Sequence, residues 1–238
     1  MRFPRPIRAR DPPPFDVGIP MHVIIKSDKF SRPLVIQFDD ESKSFDNFLA
    51  LVLPDAIDSI EIFDWLGSKM PKKISTLTSI KEVHFVRCHD LECVPSELGS
   101  LPNLEHVAFT DCADFMSFRG IEKCKNCRVF RACRCDNLDE IDVDLSKLDK
   151  LVALDLSRCT GLRYVDLSKL PKQLAILDLH GASGAYFDAD RVAALDLRST
   201  QIQDYSRLTS GMTLATPDDM VEQLQNAIVA RSMAGFDD

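Results

Sequence analysis

LVALDLSRCTGL, residues 151–162, carries apolar residues at its first, fourth, sixth and twelfth positions and a cysteine at its ninth. The same frame fits IKEVHFVRCHDL at 80–91, LEHVAFTDCADF at 104–115 and CRVFRACRCDNL at 127–138. The starts at Ile80, Leu104, Cys127 and Leu151 are almost evenly spaced. Weaker copies stand at 174–185 (LAILDLHGASGA) and 192–202 (VAALDLRSTQI). A degenerate copy, IDSIEIFDW at 57–65, begins one such interval before Ile80. A recurring period of this length marks stacked supersecondary units. Alternation with period two at the centre of each copy predicts one short strand per unit. The fourth and sixth side chains then point inward, and the third, fifth and seventh outward. One unit cannot bury its apolar side alone, so stacking is obligatory and the end units need covers.

These residues resemble the leucine-rich repeat family over about residues 57–208. VPSELGSLPNLEHV (94–107) and LVALDLSRC (151–159) are similar to its plant-type repeats of the same period, with cysteine where asparagine is common. The resemblance implies an α/β solenoid of about six to seven repeats with a parallel sheet on its concave side. Two departures stand out. The fifth repeat is short, because the copy begun at Leu174 is followed by the next at Val192, and the sixth has Thr200 in place of the cysteine.

The flanking segments divide the rest of the chain. Residues 1–20 form a Pro/Arg-rich segment with six of the thirteen prolines and Arg2, Arg5, Arg8 and Arg10 ahead of any acid. Pro4 and Pro6 spoil a presequence helix, so an extended tail, able to lie along a partner, is expected. Residues 21–56 are expected to be an N-terminal cap, with strands in MHVII and PLVIQF and a helix in SFDNFLALVL (44–53). Residues 209–238 are expected to hold a capping helix and tail. TPDDMVEQLQNAIVARSM (216–233) opens with Thr216 as N-cap and Pro217 in the first turn.

The net charge of −8 argues against a nucleic-acid-coating surface. The longest apolar run, FLALVL at 48–53, is too short to span a bilayer, so no membrane insertion is expected. Eight cysteines with no signal-peptide pattern at the start suggest an intracellular, reducing compartment, with cytoplasm and mitochondrion both open.

Four of those cysteines crowd into KCKNCRVFRACRCDN (123–137), the spacing of a metal site. The repeat register argues otherwise. Cys124 and Cys127 stand at leucine positions, and Cys88, Cys112, Cys135 and Cys159 form a ninth-position column. Only Cys133 is expected to be an exposed thiol, and no metal is expected. No glycine-rich phosphate loop or nucleophile–base motif appears either, so neither a catalytic site nor a cofactor is expected.

The outward positions of the concave sheet are therefore the candidate protein-binding residues: Glu82, His84, His106, Val129, Arg131, Ala153, Asp155, Ile176, Asp178 and Asp196. Val129, Ala153, Ile176 and Ala194 form an apolar stripe expected to meet a partner protein or the N-terminal tail. Asp155, Asp178 and Asp196 form a carboxylate column, with Arg131 placed to pair with Asp155. Arg87, Arg134 and Arg158 add a basic edge beyond the strands. The expected function is a non-enzymatic protein-binding module or subunit of a larger assembly. The alternative is a leucine-rich-repeat substrate receptor of a ubiquitin ligase, because LPDAIDSIEIFDWL (53–66) resembles the start of an F-box helix. A helix rather than a strand at 59–63 would favour that alternative.

Overall fold

The computed structural model describes residues 21–27, 33–37, 41–182 and 201–203. The expectations for residues 1–20 and 216–233 lie outside them. The described strands make one sheet. β1 (His22–Lys26) runs antiparallel to β2 (Leu34–Gln37) and to β3 (Ser59–Phe63), with α1 (Glu41–Leu51) between β2 and β3 in the chain. From β3 onward every pairing is parallel: β4 (Glu82–Val86), β5 (His106–Thr110), β6 (Val129–Cys133), β7 (Ala153–Asp155), β8 (Ile176–Asp178) and β9 (Gln201–Gln203) follow in chain order. Short 3₁₀ turns return the chain between strands, at Lys72–Thr76, Ser96–Ser100, Ile121–Lys123, Leu145–Lys147 and Leu167–Lys169. This is the geometry of a leucine-rich repeat solenoid.

The alternation read from the sequence sets the core. Fourth- and sixth-position side chains such as Val83, Phe85, Val107, Phe109, Phe130, Leu154 and Leu177 are fully buried, together with the leucines of the return segments. An aromatic spine runs through this core. Trp65 stacks on Phe85 at 6.4 Å, Phe85 on Phe109 at 5.0 Å, and Phe109 meets Phe130 at 5.9 Å between ring centroids. In β6 the sixth position is the small Ala132, and Phe115 and Phe118 from the preceding return segment close on Phe130 beside it.

Each described repeat turns at its eighth position with a positive φ. Asp64, Arg87, Asp111, Arg134 and Arg158 lie between 51° and 59°, and Gly181 stands at 74°. The left-handed turn aims each residue's amide at the next strand: Asp64 donates to the Val86 carbonyl, Arg87 to Thr110, Asp111 to Cys133, Arg134 to Ser157 and Arg158 to His180. The ladder bonds offset the backbone cost of the turn.

The ninth-position cysteines sit directly below. Cys88, Cys112, Cys135 and Cys159 are buried, and each thiol donates to the sixth-position carbonyl of the preceding strand: Ile62, Phe85, Phe109 and Ala132. Cys124 and Cys127 fill the leucine positions and are buried as well. Burial pushes the Cys124 thiol up to about 12 and raises Cys127 and Cys88 too, so these sulfurs stay protonated. Among the described residues no group of three or more metal-binding side chains comes together.

Residues 59–63 are a strand, as the repeat register predicts, and not the helix that the F-box alternative asks for. Two expectations are corrected here. The helix in the N-terminal segment is Glu41–Leu51 rather than 44–53. The strand beside β8 is β9, with Gln201 opposite Ile176 and Gln203 opposite Asp178. The step from Ile176 to Gln201 is close to the steps from Val129 to Ala153 and from Ala153 to Ile176, so the strand spacing is not that of a short fifth repeat. Ala194 and Asp196, assigned to the place beside β8, lie outside the described residues.

Candidate concave-face binding site

Parallel register puts the outward side chains in rows across the strands. The third-position row reads Ser59, Glu82, His106, Val129, Ala153, Ile176, and the fifth-position row reads Glu61, His84, Ala108, Arg131, Asp155, Asp178. With strands about 4.8 Å apart, neighbours in a row are in contact range and behave as cross-strand pairs.

In the N-terminal half of this surface Glu61, Glu82, His84 and His106 are half-exposed. Glu82 and His106 are opposite one another in register, and His84 lies diagonally from His106. His84 Nε2 is 2.9 Å from Thr110 Oγ1. Desolvation holds both histidines below the usual imidazole pKa, with nearby carboxylates opposing that shift and Arg131 reinforcing it. Both therefore face a partner as neutral imidazoles near pH 7. At the edge of the surface Lys26 is paired with Glu61.

The C-terminal half corrects the expectation of an open face. Val129, Ala153 and Ile176 are only 9%, 1% and 7% exposed, and they form a cluster separate from the main core. Asp155 and Asp178 are each 6% exposed. The three apolar side chains adjoin one another across β6, β7 and β8, and the two carboxylates lie in the neighbouring row of the same strands.

Arg131 does pair with Asp155, Nε to Oδ2 at 2.7 Å, and Asp155 also accepts the Ser157 amide at 2.9 Å. Asp178 accepts the His180 amide at 2.8 Å. Burial, with the Asp155 charge adding to it, pushes the Asp178 carboxyl up to about 6. Among the described residues the carboxylate column consists of Asp155 and Asp178, and the β9 residue in register with Asp178 is Gln203, where Asp196 was expected.

The basic edge is also corrected. Arg87 grips Asp64 through two bonds of 2.8 Å and lies over the Phe63 ring, and Arg134 Nε is 3.3 Å from Asp111. Acid and base alternate from Asp64 to Arg134 along the eighth-position column, so two of its three arginines are compensated within the fold. Cys133 is half-buried rather than exposed, with the Ser157 hydroxyl donating to its sulfur at 3.3 Å, and Cys93 is exposed to a similar degree. The pairing acids Asp64 and Asp111 were missed from sequence. Their signal was the recurrence of Asp, Arg or Gly at the eighth position, where the chain needs a left-handed turn.

The family model described as R13L1/DRL21 leucine-rich repeats matches residues 30–112. Among curated proteins, the chain is 24% identical over 135 residues to the protein SUPPRESSOR OF npr1-1, CONSTITUTIVE 1 of Arabidopsis thaliana. That alignment covers 48% of this chain and spans 9% of the relative's length. Among solved structures, the leucine-rich repeat domain of the type III effector XopL is similar with a TM-score of 0.35 and 13% identity, covering 65% of this chain and 78% of that one. A leucine-rich repeat protein of Leptospira interrogans is similar with a TM-score of 0.30 and 15% identity, covering 71% of this chain and 61% of that one.

Proposed function

We propose that this leucine-rich repeat chain is a non-enzymatic protein-binding module, or a binding subunit of a larger assembly, that works in a reducing intracellular compartment. The observation that carries the reading is the half-exposed polar group on the concave sheet: Glu82, His84, His106 and Arg131, on three adjacent strands in two adjacent rows. A sheet fixed by a continuous core presents these groups preformed, which lowers the ordering cost of recognition. Two neutral imidazoles between an acid and a guanidinium suit a partner surface rich in hydrogen-bonding groups of both polarities.

Burial changes which residues make informative probes. Val129, Ala153, Asp155, Ile176 and Asp178 shape the face and hold its electrostatics, and substituting them disturbs stability along with recognition. Glu82 and His106 are the cleaner probes. In a quantitative affinity capture, Glu82→Lys with His106→Glu should lose the partner while thermal stability stays near that of the unaltered chain. Retention of the same partner at the same yield by the double variant contradicts the reading.

A further inference from the structure

We propose that residues 2–10 of this chain lie across the concave side of β6, β7 and β8, so that the C-terminal half of the face is occupied from within. Val129, Ala153 and Ile176 are almost fully withdrawn from water, yet Ala175 alone among the described apolar residues packs against them. In the next row Arg131 is used by Asp155, and the described residues give Asp178 a backbone amide but no ion-paired cation. Such a face is complementary to a ligand that joins apolar groups to positive charge.

RFPRPIRAR, residues 2–10, has that composition, with Phe3 and Ile7 set among four arginines and no acid. The other long segments outside the described residues have the wrong sign. Residues 204–238 carry six acids against two arginines, and residues 183–200 carry three against two. Reach is sufficient: five strand steps separate β1 from β7, about 24 Å, whereas residues 11–20 extend to about 33 Å. Pro4 and Pro6 exclude a helix and reduce the freedom lost on docking. This contact is separate from the partner-binding reading. Residues 2–10 themselves then occupy the face beyond Arg131 and not Glu82, His84 or His106.

The test places a photoreactive benzoylphenylalanine at position 3 of the full chain, irradiates it at low salt and maps the cross-links by mass spectrometry. The predicted result is cross-linking within one chain to residues 129–133, 153–157 and 176–180. Its yield should fall about fivefold or more in Arg5→Glu/Arg8→Glu, because the contact depends on charge. Those substitutions lie outside the solenoid, so a folding defect cannot mimic the loss. Cross-links elsewhere in the chain, cross-links joining two chains, or a yield indifferent to charge reversal overturn the proposal. No partner enters this readout, so it fails or succeeds independently of affinity capture.

Discussion

Asp155 was legible from sequence as a concave carboxylate with Arg131 opposite, and the 2.7 Å pair is there. Its burial was not legible, because alternation places a side chain on a face without saying what covers that face. Removing the cation has a defined cost. Arg131→Gln leaves Asp155 buried without its charged partner beside Asp178, and urea unfolding should show a loss of about 1–3 kcal/mol. Asp178 is a reporter of the tail contact. The described surroundings set its carboxyl to about 6, and an arginine of residues 2–10 held against it brings that value down. Carboxyl NMR titration should therefore show Asp178 titrating higher in Arg5→Glu/Arg8→Glu than in the unaltered chain. His84 and His106 set the pH response of the open half. Their folded pKa values lie below the ordinary value near 6.5, so the native state binds fewer protons than the unfolded one. Their contribution to stability is present above about pH 6.5 and is lost as the pH falls through the folded values. A Tm that declines with acidification in this window, and declines less in His84→Gln/His106→Gln, is the expected outcome.

At the level of the element, the strand alternation and the cysteine column were readable because both recur at every period. The left-handed eighth position was harder to read, since Asp and Arg share no chemistry that announces a positive φ. The aromatic spine was also missed, because Phe115 and Phe118 lie outside the strands and reach Phe130 only through the fold. Phe109 touches three aromatic neighbours, Phe85, Phe115 and Phe130, and Phe109→Ala should cost about 3–5 kcal/mol in chemical denaturation. Gly120 has φ of 103°, and a Cβ there would come within 2.0 Å of the Val94 carbonyl oxygen. Gly120→Ala should destabilise by at least about 2 kcal/mol. Thiol accessibility follows the same architecture. Cys93 and Cys133 should react with a thiol reagent in the native state, and the six buried cysteines only as the solenoid unfolds.

For the molecule as a whole, the sequence period carried nearly all of the fold, because a stacked solenoid is determined by nearest neighbours. It misplaced the last strand. LDL at 195–197 matches the repeat frame, but β8 pairs with Gln201–Gln203 instead. Local resemblance was the weaker guide there, and the constancy of the return length was the better one. The candidate site was legible as a surface but not as a distribution of access: half of its residues are buried, and the open part is confined to β4–β6. The claim that this open concave part does the binding is tested most directly by comparing two double variants, one on each side of the solenoid, in one quantitative capture experiment. Glu82→Lys/His106→Glu alters the concave sheet, whereas Lys123→Glu/Lys147→Glu alters exposed residues of the return segments. The account predicts that the captured partner is lost with the first variant and retained with the second. Loss with the second and retention with the first would contradict it.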